Sequence, residues 1–315
     1  MSDFVMLSLV PMTIAMIIAM SCALLGNFLV LRRQSLIGDA ISHVALPGIV
    51  ASFLITGTLL TSAMMLGAAT AALITVLMIE AIKRLGRVEP SAAMGVAFTS
   101  IFALGVLMLE WHGASGVHLD VEHALYGSLE SLIWFEGTSW ASLFDRQALT
   151  DLPPQLSRVA WVGLLVVAFV TVSWRALVIG SFDPHFAASI RARPVIMDLL
   201  LVTMVAIAAI AAFEAVGSII VIAMFICPAA AARLMTNSLP RQVAWSQAFA
   251  IVSSLLGYLL AGYGPGWLGI DASLSAAGMI ASVAGLLLLL ACLFGPCRQH
   301  DSSRSESAQR LDTEV

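Results

Sequence analysis

Charge is what this sequence lacks most. Of its 315 residues only 11% are Asp, Glu, Lys or Arg, against about a quarter in a soluble globular domain. That shortage excludes an ordinary water-soluble fold. A hydrophobic content of 60% and a mean hydropathy of +0.98 place the chain in a bilayer instead. Lysine is scarcer still, since Lys83 is the only one. No G-x-x-x-x-G-K-[ST] occurs, so the chain cannot cradle nucleotide phosphates in the usual loop. A hydrolase elbow and an H-E-x-x-H motif are absent too. The cysteines are Cys22, Cys227, Cys292 and Cys297, with no zinc-site spacing among them. The first three lie in apolar runs and read as small hydrophobes in packed helices.

What remains is apolar sequence in lengths that matter, because spanning a bilayer takes about 20 such residues. Runs of that order occur near 5–31, 40–60, 62–82, 91–109, 159–179, 197–213, 215–232, 243–262 and 273–294. The sixth and seventh are nearly continuous around "FEAVGS", so eight spans with a broken or re-entrant element is the alternative count. The first run, Phe4 to Leu31, is too long for a signal peptide and has no Lys or Arg before it. With the N-terminus outside, the basic residues Arg32, Arg33, Lys83, Arg84, Arg87, Arg175, Arg191, Arg193, Arg233, Arg241, Arg298, Arg304 and Arg310 fall inside. Only Arg146 and Arg158 fall outside, so the positive-inside rule supports alternation over nine spans and a cytoplasmic C-terminus. The expectation is an all-α polytopic membrane protein of eight or nine helices over residues 1–296. The polar tail, 297–315, has no apolar face and reads as disordered.

Against this background the few ionisable residues stand out. "LIGDAISHVALPG" (36–48) puts Asp39 and His43 four residues apart, on one helix face one turn from each other. A charge inside a span costs about 2.5–3.5 kcal/mol on insertion scales, so such residues face a pathway or a partner. A carboxylate and an imidazole at that spacing form a half-site that Mn²⁺, Fe²⁺ or Zn²⁺ accepts. The structural alternative has Asp39 capping the helix and His43 bonding a carbonyl. Glu214 is a lone carboxylate between two apolar runs, either on a pathway or at the outer interface.

The longest outside segment, Glu110 to Arg158, carries seven acids, Glu110, Asp120, Glu122, Glu130, Glu136, Asp145 and Asp151, against two arginines. Such a surface attracts cations. Within it, "VHLDVEHALYGSLE" brings His118, Asp120, Glu122 and His123 close together, as a possible metal entry point or as plain polar surface. "SFDPHFAASIRARPVIMD" (181–198) lies inside, with Asp183-Pro184 reading as an N-cap and first helical residue. A short helix to about Arg191 would carry Phe182, Phe186 and Ile190 as an apolar stripe, suited to a partner or the membrane surface.

Taken together, these stretches resemble a known family. "LLGNFLVLRRQSLIGDAISHVALPGIV", "LDVEHALYGSLE", "SFDPHFAASI" and "EAVGSIIVIAMFICPAAAARLMT" are similar, in order, to the permease subunits of bacterial ABC importers for zinc, manganese and iron. The likeness runs over roughly residues 10 to 295. It implies a permease in the bacterial cytoplasmic (inner) membrane, dimeric with a second copy or a sister permease. It also implies two cytoplasmic ATPase subunits, an extracytoplasmic metal-binding protein, and no nucleic-acid partner. No cofactor would be held permanently; Mn, Fe or Zn would pass through as substrate. By this likeness Asp39 and His43 are pathway ligands, and residues 182–193, with Phe182, Asp183, Phe186, Ile190 and Arg191, form the helix that inserts into the ATPase. Two departures stand out: the 132–158 segment is longer than in many relatives, and Glu214 occupies a position where Gln is expected. The rival reading is a proton-coupled secondary transporter of divalent cations, which would use Asp39, His43 and Glu214 but leaves the docking-type helix unexplained.

Overall fold

A computed structural model describes residues 4–57, 60–111, 129, 132–137, 140, 142, 145, 148, 150–183, 186, 194–267 and 274–296. The described residues contain nine helices long and apolar enough to cross a membrane, and no strand. They are α1 (Val10–Leu31, entered through a π-helical turn Val5–Leu9), α2 (Ile37–Thr56), α3 (Thr61–Gly86), α4 (Pro90–Trp111), α5 (Pro154–Phe182), α6 (Pro194–Val216), α7 (Ser218–Met235), α8 (Leu239–Trp267) and α9 (Ala276–Phe294). The count of nine resolves the sixth and seventh apolar runs as two helices. Gly217 separates them with φ +81°, a conformation that residues with a Cβ avoid.

Helix α1 is the hub. It packs on α5, α7 and α8 and buries Ile14, Ile18, Cys22, Leu25, Phe28 and Leu29. Helix α8 runs antiparallel to it over nearly its whole length, pinned by polar contacts at three depths. Near one end, Asn27 Nδ2 donates to Ser246 Oγ at 2.6 Å, and Gln242 Nε2 donates to Asn27 Oδ1 at 3.1 Å. In the middle, Gln247 Nε2 reaches the Met20 carbonyl at 3.2 Å. At the other end, Tyr258 Oη donates to the Leu7 carbonyl at 3.3 Å. Trp134, fully buried, closes that end. Its backbone amide bonds the Met6 carbonyl and its indole the Ala148 carbonyl, both at 3.0 Å.

Small residues set how closely the helices approach. A Cβ on Gly48 would lie 2.4 Å from the Gly67 carbonyl oxygen, and one on Gly67 would lie 2.3 Å from that of Gly48, so α2 and α3 cross almost backbone to backbone. Gly105 of α4 lies against the Pro47 ring in the same way. Pro47 sits inside α2, where it removes a ladder donor; α2, α3 and α4 line a cavity of about 420 Å³ beside it.

Candidate functional site

Helix α2 begins three residues earlier than the apolar run suggested, at Ile37, so Asp39 falls in its first turn. There a carboxylate is favoured by the partial positive charge of the helix N-terminus. The cap position belongs to Leu36, which makes no side-chain bond, and Asp39 Oδ1 lies 3.2 Å from His43 Nε2 instead. Along α2, Ile37, Ala40, Ile41, Val44 and Ala45 are buried, whereas Asp39 and His43 share an open stripe with side chains 29% and 37% exposed. The His43 ring stacks on Phe98 of α4, centroids 6.1 Å apart and 23° between planes. Phe102 meets it edge-on at 6.0 Å. The imidazole is thus held between aromatic walls while one face of the Asp–His pair stays open.

The turn that delivers this pair is unusual. Helix α1 ends in a Schellman arrangement: the Gln34 amide bonds the Leu29 carbonyl at 2.8 Å and the Arg33 amide the Val30 carbonyl at 3.2 Å. The left-handed position, normally glycine, is Arg33, with φ +56°. Arg32, its side chain only 8% exposed, is turned in between the helices. Its Nη1 donates to Asp198 Oδ1 at 2.7 Å and its Nε to Ser181 Oγ at 3.0 Å. Ser181 lies one residue short of the end of α5, and Asp198 four residues into α6. Lys83 of α3 completes the cluster, donating to Asp198 Oδ2 at 2.9 Å and pairing with Glu80 at 2.6 Å; Arg84 also binds Glu80 at 2.6 Å. Asp198 thus fastens α6 to both α1 and α3. It was invisible as a candidate in the sequence because both of its cationic partners are distant along the chain.

Glu214 lies at the other end of α6, sixteen residues from Asp198 (214 − 198), or about 24 Å along the helix. It accepts from Arg158 Nη1 at the start of α5, and that guanidinium also approaches Met65 Sδ at 3.6 Å. Glu214 and the Asp39–His43 pair therefore occupy opposite ends of the bundle. In the 182–193 segment, Asp183 Oδ1 accepts the Phe186 amide at 2.8 Å, the bond that an N-cap makes, and Phe182 and Phe186 are exposed. Ile190, Arg191, His118, Asp120, Glu122, His123 and the 297–315 tail lie outside the described residues. No group of three or more His, Cys, Asp or Glu side chains converges among the described residues.

Nine span-length helices among the described residues define a multi-pass membrane protein. Residues 5–133 and 146–295 match the family described as the ABC 3 transport family, and the chain belongs to it. It is 35% identical over 281 residues to the manganese transport system membrane protein MntD of Bacillus subtilis, covering 89% of each chain. It is 33% identical over 283 residues to the zinc transport system membrane protein TroD of Treponema pallidum, covering 90% of this chain and 72% of that one. Among solved structures, PsaBC from Streptococcus pneumoniae in complex with a Fab superimposes with a TM-score of 0.70 at 25% identity, over 93% of this chain and 94% of that one. The expected ABC permease architecture is thereby established: the chain is a transport subunit and not an enzyme.

Proposed function

We propose that this permease passes a divalent first-row transition metal, manganese or zinc as in its relatives and iron as a third candidate, and that Asp39 and His43 are the residues that hold the ion. The observation that carries this is the 3.2 Å pairing of Asp39 Oδ1 with His43 Nε2 on the open stripe of α2. Oxygen and imidazole nitrogen together suit Mn²⁺, Fe²⁺ and Zn²⁺ and disfavour Mg²⁺ and Ca²⁺, which take oxygen alone. One chain supplies only two donors there, while a bound ion needs four or more. A second copy of the permease, or a sister permease, facing the same stripe supplies the rest, and a site split between two subunits opens when they move apart. Weak holding suits conduction, because the ion must leave.

The remaining roles follow from the layout. The N-terminus lies outside and the C-terminus in the cytoplasm, since Arg32, Arg33, Lys83, Arg84 and Arg87 gather at one end of the bundle. On this reading the Asp–His pair lies nearer the cytoplasm, as an inner gate. An extracytoplasmic binding protein delivers metal at the opposite, acid-rich face, and a cytoplasmic ATPase docks on the 182–193 segment, where Phe182 and Phe186 stand exposed.

The test is uptake of labelled Mn²⁺, Zn²⁺ and Fe²⁺ into liposomes holding the permease and its ATPase, with binding protein outside and ATP within the reach of the ATPase. Uptake needs ATP, and is abolished in Asp39→Ala and His43→Ala. Uptake driven by a pH gradient without the ATPase would instead establish the proton-coupled transporter.

A further inference from the structure

We infer that Phe98 and Phe102 of α4 are positioning residues that fix the His43 ring and thereby set which ions the Asp39–His43 pair accepts. This rests on the functional reading above and deepens it, from which atoms hold the ion to what makes them select. The rings reach His43 because the register of α4 on α2 is set one turn further along. A Cβ on Gly105 would lie 2.5 Å from Pro47 Cγ and 2.8 Å from Pro47 Cα, so the α4 backbone lies directly on the proline ring. Phe98, Phe102 and Gly105 stand at i, i+4 and i+7 on α4, and His43 and Pro47 at i and i+4 on α2, so one stripe of each helix faces the other. That close approach brings Phe98 flat against the imidazole, with 6.1 Å between centroids and 23° between planes. Phe102 meets the same ring edge-on, at 6.0 Å and 75°. Both phenylalanines of α4 thus bear on one histidine.

Holding the ring matters because an ion and the Asp39–His43 contact compete for the same two atoms. Asp39 Oδ1 and His43 Nε2 are 3.2 Å apart. Two oxygen or nitrogen ligands at about 2.0–2.2 Å from one ion stand roughly 2.8–3.6 Å apart at octahedral to tetrahedral angles, so the pair already has the spacing of neighbours in one coordination shell. An ion held there takes the Nε2 lone pair and a carboxylate oxygen, and the bond between the two side chains is given up. The terminal torsion of an imidazole is broad, so a ring released from that bond can swing Nε2 away from the ion. The two phenylalanines oppose the swing, because turning the imidazole breaks the stacked contact and drives its edge into Phe98.

What the ring's position selects follows from donor chemistry. With Nε2 held beside the carboxylate, the pair offers nitrogen and oxygen, which Mn²⁺, Fe²⁺ and Zn²⁺ accept. With the ring turned away, Asp39 remains as an oxygen ligand alone, which Mg²⁺ and Ca²⁺ accept as readily. The phenyl walls also offer water no hydrogen bond on their side of the imidazole. An ion must shed part of its water to settle against them, and Mg²⁺ dehydrates reluctantly.

The experiment measures Mn²⁺ binding to the assembled permease and ATPase in nanodiscs without nucleotide, with Mg²⁺ as competitor. Pulsed electron paramagnetic resonance on the same samples records whether nitrogen coordinates the Mn²⁺. An Asp39→Ala/His43→Ala variant defines binding elsewhere on the complex, and subtracting it isolates the site. In Phe98→Leu/Phe102→Leu, which keeps apolar bulk but removes both rings, the nitrogen signal per bound Mn²⁺ is expected to fall at least fivefold. The Mg²⁺ concentration that displaces half of the Mn²⁺ is expected to fall at least tenfold. Phe98→Tyr, which keeps the stacked face, holds both readouts within about twofold of the wild type. A merely structural role would weaken Mn²⁺ and Mg²⁺ binding alike and leave their competition unchanged. A leucine variant in which either readout stays at the wild-type value therefore overturns the inference, and so does a Phe98→Tyr variant that loses both. If the double variant does not assemble, Phe98→Leu alone is read in its place; failure of that variant too overturns the inference, because a residue needed only for packing selects nothing. An Asp39→Ala/His43→Ala variant that binds Mn²⁺ as the wild type does would instead overturn the functional reading, and the two failures are thereby separate.

Discussion

Replacing Gly48 or Gly67 by alanine tests the packing that carries the Asp39–His43 pair. The added methyl on Gly48 would sit 2.4 Å from the Gly67 carbonyl oxygen, and the one on Gly67 would sit 2.3 Å from that of Gly48. Close carbon–oxygen contacts in packed helices lie at about 3.3–3.6 Å, so the two backbones must part by roughly 1 Å. Neither atom is the far end of a flexible side chain, and relief requires moving a helix. Overpacking of this kind costs about 1–3 kcal/mol for each substitution. Once α2 and α3 have separated for the first methyl, the second finds the space already made. The double variant should therefore cost little more than one single, with a coupling of about 1–2 kcal/mol between the sites. Gly285 of α9 provides the control: a Cβ there meets nothing within 4 Å, so Gly285→Ala should be neutral or up to about 1 kcal/mol stabilising through helix propensity. The assay is the thermal unfolding midpoint of purified permease in detergent, alongside metal uptake. Singles that leave the midpoint unchanged, or that add fully in the double, would falsify the backbone-to-backbone crossing.

Other expectations follow from the ion pairs and the buried amides. Asp39→Ala or His43→Ala should lower Mn²⁺ uptake at least a hundredfold in a knockout strain while membrane levels stay normal, because each removes half of the donors one chain offers. Glu214→Gln should leave uptake within about twofold and cost no more than about 1 kcal/mol in detergent melting, since Arg158 is partly solvated and such pairs are screened; a collapse of uptake would place Glu214 on the pathway. Asn27→Leu removes both links to Ser246 and Gln242, and thermal melting should show a loss of about 1–2 kcal/mol. That figure is smaller than in a water-soluble core because the partners freed within a bilayer find alternatives.

Much of the fold was legible in the sequence because a bilayer leaves few choices. Every backbone polar group must be satisfied within the segment, so an apolar run of sufficient length is a helix. What the runs misplace is their ends. Helix α5 starts at Pro154 and stops at Phe182, several residues beyond its apolar run on both sides, and Arg158 and Ser181 near its two ends find partners on adjacent helices, Glu214 and Arg32. In α2, which starts at Ile37, the partner is within the helix: Asp39 reads as the edge of a span when its partner is counted as water, and as its interior when that partner is His43.

The site was legible only where it is local. Asp39 and His43 announce themselves by a spacing of four, which any helix converts into contact. Asp198 gives no such sign, because its partners Arg32 and Lys83 lie 166 and 115 residues away and meet it only through the packing of α1, α3 and α6. A trace was present all the same: the sole lysine of a chain this apolar sits in the last turns of a span, and an acid stands near the start of another. The same long-range contact bears on where a count along the sequence puts the Asp39–His43 pair. Counting from Arg33 puts Asp39 at the membrane edge, on the assumption that the arginines mark the aqueous boundary. Arg32 is instead spent on Asp198 and Ser181 between the helices. The two arginines are therefore no ruler for depth: one of them is a contact between helices, visible only once α1, α5 and α6 are packed together.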